Sequence, residues 1–545
     1  MEDESVSSSY AGRWVARLHG HIIAQAGTPE QARRAAKSSR HKENPEIIYV
    51  PAKLHLSPLI DKVRAALPDQ EIYLVGGAVR DMLLGRLSPD LDFAVPSQGI
   101  SLARRVANAL QADFVPLDQE RDTGRVIVTN ADGTRTFLDF AAYRGSDLET
   151  DLRGRDFTVN ALAYDVRAGT LLDPLEGATD LRLKRIRACS PTALTDDPVR
   201  VLRAIRQAAA LGFQIEKETR VLLKQAAGQL GRVSPERQRD ELFKILDGPR
   251  PAASIRALEI LGILPHLLPE LTELKGVGQS APHVYDVWTH TLAVLQHLEA
   301  ILAALVIGYD AGNTNDLYTG LLTLRIGRYR QQFADHFAAS LNPDRSLRAL
   351  LFFAALYHDV SKPQTRTVEE GSSRVRFFGH DEQGADVAAS RASELRLSND
   401  EVQHLRLIIA NHMRFHFHTS RMEGEGKTPS RKAVYRFFRD KGEAGVDLVL
   451  LGLADLRATQ GNNLKQETWQ AALDVARILL ENYWEKPEET VAPPRLLDGN
   501  DLMAELGIAP GPLVGQLLEA IREAQATGKV STRDEALSLA REWKP

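Results

Sequence analysis

Cysteine is almost missing from this chain, and the single Cys189 excludes an internal disulfide and any cysteine-built zinc cluster. Aromatic residues are scarce at 6%, so contact with nucleic acid would rest on phosphate charge more than on base stacking. No long apolar run occurs either. The most apolar stretches, such as residues 291–308, carry His297 and Glu299 and are too mixed for a membrane span. No basic-apolar leader opens the chain, and a cytoplasmic protein is the expectation. A net charge of −4 is too small to announce a partner. What is present is enough for substantial folding. With 545 residues, 43% apolar and 26% charged, the chain exceeds one core and implies three or four domains. Its charge is unevenly placed: residues 181–250 hold 15 Lys/Arg against 8 Asp/Glu. Such a segment can neutralise several phosphates, although a solvated helical surface would look the same.

Residues 1–45 have a Ser-rich tip followed by Arg33, Arg34, Lys37, Arg40, His41 and Lys42. Trp14, Val15, Leu18, Ile22 and Ile23 fall at roughly helical spacing, and a partly disordered extension is expected. Residues 72–75, 91–95, 125–129 and 136–141 read as strands bounded by Gly, Pro, Asp and Asn, and residues 79–84 and 102–110 as helices. Together they describe an α/β head. After Pro191 the strand signals vanish. Helices are expected over 199–211, 218–227 and 235–246, with Asp196/Asp197 and Ser234 as N-caps ahead of Pro198 and Pro235. Residues 309–315 and 423–429 read as loops, and residues 485–495 as a linker to a last helical unit at 501–543.

The strongest chemical signal lies near residue 72. A buried strand runs into Gly76-Gly77 and straight into a helix, a turn whose backbone N–H groups can approach a triphosphate. Arg80 sits one turn along. Asp90-Leu-Asp92 then opens another strand, where residues i and i+2 project to one side. Two carboxylates held that close are costly unless a cation lies between them, and Mg²⁺ bridging substrate phosphates is the usual one. Asp139, on the strand expected at 136–141, offers a third carboxylate.

Gly76-Gly-Ala-Val-Arg-Asp-Met-Leu-Leu-Gly followed by Asp90-Leu-Asp resembles the signature of class II CCA-adding enzymes and bacterial poly(A) polymerases. Asp151-Leu-Arg-Gly-Arg-Asp-Phe-Thr-Val-Asn-Ala resembles that family's nucleotide-sugar segment, with Gly154 replacing the first of two adjacent arginines. Asp196-Asp-Pro-Val-Arg-Val-Leu-Arg resembles its nucleotide-reading helix; Asp196 departs from the usual Glu, while Asp197 and Arg200 match. Ser234-Pro-Glu-Arg-Gln-Arg-Asp-Glu resembles the final neck motif, with Arg237 and Glu241 supporting that helix. The resemblance implies Asp90, Asp92 and Asp139 as catalytic carboxylates, Asp90 and Asp92 holding Mg²⁺. It also implies nucleotide contacts from Gly76, Gly77, Arg80, Arg155, Asp156, Asn160, Asp197, Arg200, Arg203 and Arg237. Being three apart on a helix, Asp197 and Arg200 offer an acceptor and a donor to a base edge, although a helix-start salt bridge would use the same pair. CTP and ATP would be the substrates and the tRNA 3′ end the acceptor, with poly(A) synthesis as the alternative. A phosphohydrolase whose head merely binds nucleotide is a further alternative. Only Tyr143-Arg-Gly-Ser-Asp-Leu-Glu-Thr separates the third-carboxylate strand from Asp151, which resembles CC-adding enzymes lacking a long flexible loop.

Downstream, His283-Val-Tyr-Asp-Val-Trp-Thr-His290 precedes His358-Asp359, His380-Asp381, His412 and Asp455. Adjacent His-Asp at a helix end places an imidazole and a carboxylate on one metal edge. The order resembles the HD phosphohydrolase domain, which implies His290, His358, Asp359 and Asp455 as ligands of a divalent metal of unspecified identity. His380 and His412 would serve a second metal, and Lys362 completes an HD-x-x-K pattern. An active phosphohydrolase, a metal-binding support for tRNA and a metal-free relic all remain open at this point. The implied architecture is a polymerase-beta-like α/β nucleotidyltransferase head at 46–187 after an extension at 1–45. A mostly α-helical neck (188–270), an HD domain (271–465) and a helical tail (466–545) follow.

Overall fold

The computed structural model describes residues 13–19, 21–26, 29–38, 43–50, 56–309 and 316–543. The chain divides into two compact units, Met1–Val233 and Ser234–Pro545.

The first unit opens on an antiparallel sheet of β1 (Arg13–Leu18), β2 (His21–Ala26) and β3 (Glu46–Val50), in the order β2-β1-β3, with a helix at Pro29–Ser38. The described part of 1–45 is therefore folded, with strands where the spacing of Trp14–Ile23 suggested a helix. The central strand buries Trp14, Val15 and Ala16, and its pairing with β3, about thirty residues on, decides strand over helix. Arg40, His41 and Lys42 lie outside the described residues.

A seven-stranded sheet follows, built from β4 (Tyr73–Val75), β5 (Asp90–Val95), β6 (Asp113–Asp118), β7 (Thr123–Thr129), β8 (Arg135–Ala142), β9 (Ala163–Asp165) and β10 (Leu171–Leu172). Its order is β10-β9-β4-β5-β8-β7-β6, and β5 and β8 run parallel while their other neighbours are antiparallel. Alternation along β5 and β8 sends Phe93 and Phe140 into the core, where their rings stack at 4.7 Å. The helix Gly99–Leu110 covers β7 and β8, burying Leu102, Ala103, Val106 and Ala107 at helical spacing. That arrangement leaves Asp92 and Asp139 for the opposite face.

Two details differ from the sequence reading. Strands do occur after Pro191: β12 (Gln214–Ile215) pairs in parallel with β11 (Arg185–Ile186) just before that proline, and β13 (Arg366–Val368) with β14 (Val375–Phe377) forms a hairpin in the second unit. Asp196 and Asp197 do not cap the helix Arg200–Leu211, which begins after Val199 without a side-chain cap. Pro198 forces its predecessor out of helical geometry, so Asp197 is extended and offers its backbone oxygen to the Arg200 N–H at 3.0 Å. Ser234 does cap Pro235–Leu246, its hydroxyl accepting from the Arg237 N–H.

The second unit is helical. Leu347–Tyr357 is buried all round except at Arg348, as expected of a helix at the centre of a bundle. Around it lie Val287–Ala304, His380–Glu394, Asn399–Asn411 and Ala444–Gln460. Asp447, on the last of these, is fully buried and accepts from His336 at 3.0 Å and His404 at 2.8 Å. Residues expected as a loop at 423–429 divide: 423–425 close the helix Met413–Glu425, and Gly426 ends it. Of the loop expected at 309–315, residues 310–315 lie outside the described residues. Within the expected linker, Pro487–Val491 forms a wide helical turn that buries Thr490. Three final helices, Gly499–Leu506, Pro512–Ala526 and Arg533–Glu542, enclose their own core of Leu502, Leu517, Ile521 and Ala536. No helix among the described residues is long and apolar enough to cross a membrane.

Candidate active site and metal centre

In the head, strand register assembles the carboxylates. Asp92 sits beside Asp139 across the parallel β5/β8 pair, and Asp90 lies two residues earlier on the same side. Solvent reaches much of the Asp92 residue, yet protein crowds its carboxylate. That loss of hydration pushes its pKa up; Arg155 opposes the rise, while Asp139 and Asp90 add to it. Three oxygen-donor side chains repelling one another suit a hard divalent cation. Asp139 is not idle, however. Arg125, opposite it on β7, donates from Nε and one terminal nitrogen to its two oxygens, both at 2.7 Å.

The glycine turn closes over this row. Gly76 has φ +75° and ψ −141°, a conformation open in practice only to glycine, and the helix Gly77–Leu83 starts directly after it. A methyl group at Gly76 would lie 3.2 Å from an Arg155 terminal nitrogen and 3.3 Å from the Asp92 carboxylate. Arg80 is held by the Asp81 carboxylate at 2.9 and 3.0 Å and donates to Asn160 Oδ1 at 2.7 Å. Asn160 in turn donates to Asp156 Oδ1 and Gln207 Oε1, each at 3.0 Å. Arg203 lies 3.2 Å from the other Asp156 oxygen. Arg155 is fixed by Asp151, which is buried and also accepts from the Arg144 N–H at 3.1 Å.

Arg200 is 8% exposed and donates to the backbone carbonyls of Gly154, Arg155 and Ala193 at 2.9, 3.2 and 3.0 Å. Asp197 is 4.0 Å from its Nε. Two of the five guanidinium hydrogens thus hold the Gly154–Arg155 segment in place and a third holds Ala193, which leaves two for another acceptor. Arg237 lies in the second unit, on the first helical turn that Ser234 caps.

The second unit brings together all six expected metal ligands, every one buried. His290, His358 and Asp359 form one group of potential donor atoms within 4.8 Å of one another; Asp359, His380 and His412 form a second. Asp359 belongs to both. His358 Nδ1 donates to Ala355 O at 2.8 Å, His380 Nδ1 to Phe377 O and His412 Nδ1 to Ile409 O, both at 2.7 Å. A carbonyl can only accept, so each neutral ring keeps its Nε2 lone pair free. Those lone pairs face other imidazole nitrogens: His358 Nε2 is 3.4 Å from His290 Nε2, and His380 Nε2 is 3.2 Å from His412 Nε2. At His380 and His412, where carbonyl contacts fix both tautomers, two lone pairs face each other and need a cation; at the other pair only the His358 tautomer is set this way. The donor set of three to four N/O ligands per position fits a divalent transition metal.

Electrostatics agree with that reading at His412, whereas at His358 burial is outweighed by the Asp359 carboxylate, which raises the pKa. Burial and the neighbouring His358 and His380 depress the His412 pKa to about 3, keeping it neutral. Burial opposes ionisation of Asp359, but His358 and Lys362 outweigh it and hold its carboxyl well below the usual range. Lys362 Nζ stands 2.7 Å from Asp359 Oδ2 and donates to Gln279 Oε1 at 2.7 Å. Asp455 reaches His290 Nε2 at 3.0 Å with one oxygen, while His416 donates to the other at 2.7 Å.

Comparison with known proteins reads the same way. The chain is 35% identical over 480 residues to the A-adding tRNA nucleotidyltransferase of Deinococcus radiodurans, covering 86% of this chain and 95% of that one. The chain belongs to the tRNA nucleotidyltransferase family. Within that family it is also 34% identical to the CC-adding tRNA nucleotidyltransferase of Thermus thermophilus, over 87% of this chain and 94% of that one. Residues 72–187 match the poly A polymerase head domain and residues 212–275 the probable RNA and SrmB-binding site of polymerase A. Residues 287–437 match the HD domain, residues 493–540 the tRNA nucleotidyltransferase domain 2, and residues 6–53 a family of unknown function. The fold resembles that of a CCA-adding enzyme solved with CTP, at a TM-score of 0.57 and 21% identity over 89% of this chain and 96% of that one. It also resembles the Thermotoga maritima CCA-adding enzyme complexed with tRNA, at a TM-score of 0.52 and 21% identity over 89% and 96%.

Four side chains around these tRNA nucleotidyltransferase sites escaped the sequence reading. Asp151 and His416 carried a usable signal, since each sits four residues from a named site residue, Arg155 and His412. Arg125 and Gln207 carried none, because strand pairing and helix docking alone bring them in. The glycine turn admits a direct test. Gly76→Ala should cost about 1–3 kcal/mol of stability through backbone strain. It should also lower nucleotide incorporation by displacing Arg155 or Asp92, as read by thermal unfolding and primer extension. An unchanged melting temperature and rate would show that the turn adapts.

Proposed function

We propose that the head transfers nucleotides from CTP or ATP to the 3′-hydroxyl of tRNA, with release of pyrophosphate and without a template. The carrying observation is the single row of Asp90, Asp92 and Asp139 beneath the Gly76 turn, in a chain of this family. Asp90 and Asp92 would hold Mg²⁺, which when bound supplies charge to the phosphates and acidity to the attacking hydroxyl. Gly76 and Gly77 let the backbone approach the triphosphate, and Arg80 and Arg155 present cationic edges to it. Asp156, Asn160 and Arg203 form a hydrogen-bonded wall suited to the sugar. Asp197 and the two remaining Arg200 donors are assigned to the base edge, and Arg237 to nucleotide binding. We keep 46–187 as the head, 188–270 as the neck, 271–465 as the HD domain and 466–545 as the tail, in a cytoplasmic setting.

The connection after β8 favours addition of cytidines only. It is short and closed: the Tyr143 hydroxyl donates to Glu71 at 3.1 Å, and Asp147 caps the helix Leu148–Arg153. A side chain at Gly145 would collide with Thr150 at 2.4 Å, so the turn is tightly packed. With purified protein and tRNA lacking CCA, CTP should yield two added cytidines, and CTP plus ATP the same product. Adenosine added only to tRNA ending in CC would mark an A-adding enzyme, and long adenosine tracts a poly(A) polymerase.

For the second unit we infer a metal-dependent phosphohydrolase. Asp359 shared between two three-donor groups supports a two-metal site, the arrangement that holds and activates phosphate esters. Phosphorylated or 2′,3′-cyclic RNA ends are the substrates that fit a protein whose other site needs a free 3′-hydroxyl.

A further inference from the structure

We propose that Arg125 is a positioning residue of the nucleotidyl-transfer site, holding Asp139 fixed beside the Asp90/Asp92 pair but outside its metal set. The proposal rests on the transferase reading of the head. Register places Asp92, Asp139 and Arg125 in one row on the same face across β5, β8 and β7. The guanidinium fork takes one lone pair on each Asp139 oxygen, at 2.7 Å twice. It is braced from the side, with its carbon 5.0 Å from the centre of the Phe137 ring, two residues before Asp139 on the same face. Both partners are half-buried, at 34% and 21% exposure, so solvent screens the pair incompletely.

Two consequences follow from charge and geometry. Arg125 cancels one of three clustered negative charges, so the head offers a cation the attraction of two carboxylates rather than three. Asp139 also cannot swing towards that cation without giving up a bond of the fork. It stays at a constant place in the row, oriented towards the hydroxyl that must attack. A lysine could supply the charge but not the two-point grip.

The test uses four full-length proteins: wild type, Arg125→Met, Asp139→Asn and the double variant. Mn²⁺ binding is followed by electron paramagnetic resonance, and primer extension by gel. The HD ligands are common to all four, so differences report the head. Arg125→Met should bind the head Mn²⁺ about three- to tenfold tighter, because Asp139 is freed to join it. That gain should vanish when Asp139→Asn is added. Turnover of Arg125→Met should fall about tenfold or more while the KM for CTP stays within about twofold, the mark of lost positioning rather than lost nucleotide binding. Arg125→Lys, the smaller perturbation should the methionine variant fold poorly, should keep wild-type Mn²⁺ affinity with reduced turnover. Wild-type Mn²⁺ affinity and turnover in Arg125→Met, or a gain that survives Asp139→Asn, would overturn the proposal. Failure of the transferase reading looks different: the wild type itself adds no nucleotide, whatever the Mn²⁺ titrations show.

Discussion

Asp90→Ala should abolish nucleotide incorporation, by about a thousandfold or more, while the protein remains folded and its HD metals stay in place. The expected size follows from losing one of two carboxylates that anchor the cation at the reacting phosphate, an effect worth about 4 kcal/mol of transition-state stabilisation. Folding should be spared for local reasons. Asp90 is exposed at the start of β5, and its backbone, not its carboxylate, bonds Ser88 on both sides. Its negative charge also adds to the rise in the Asp92 pKa, so removing it relieves a repulsion rather than a support. Primer extension with labelled CTP reads the loss, circular dichroism the fold, and elemental analysis the HD metals. Incorporation within about tenfold of wild type would place the chemistry elsewhere than at this row.

Replacing Asp359 by asparagine should empty both HD positions at once, because this carboxylate is the one donor common to the two groups. Metal content should fall by two ions per chain, whereas His290→Ala or His380→Ala should remove one each. Asparagine keeps the shape but not the charge. Lys362 then loses its buried partner at 2.7 Å, and breaking such a pair from one side costs about 3–5 kcal/mol. A second measurement separates metal loss from that structural cost. Added Mn²⁺ at about a hundredfold excess over the Kd of an HD position should stabilise the wild type by about 2.7 kcal/mol per position more than the variant, which keeps only the head site. Cytidine incorporation should continue in the variant, since none of the head residues changes. Retention of both ions after Asp359→Asn would remove the shared-ligand reading and with it the two-metal phosphohydrolase.

Local patterns carried much of this protein into its sequence. The spacing of Asp90 and Asp92 states a shared strand face before any fold is known, because side chains alternate with period two. Gly76-Gly77 between a strand and a helix states a turn, and His358-Asp359 after an apolar helix states a metal edge. The same local logic found the helices at 200–211 and 235–246 to within a residue. It failed at Trp14–Ile23, where five apolar residues suit more than one period and pairing with β3 decides among them. It failed again at Asp196/Asp197, because the helix starts only at Arg200, with Val199 rather than either aspartate at its N-cap position.

What the sequence determined by itself is therefore the set of chemical groups on each element: three head carboxylates, a glycine turn, and four histidines with two aspartates downstream. The tertiary structure decided which of them meet. Arg125 and Asp139 are joined by antiparallel register across β7 and β8, and Arg200 turns two donors onto a segment some 45 residues earlier. His358 faces His290 across 68 positions of chain, and Asp455 finds His416 across 39. The physical reason is the same in each case. Side-chain direction follows from local backbone geometry, but proximity between elements follows from how apolar faces bury one another, and no short-range pattern encodes that.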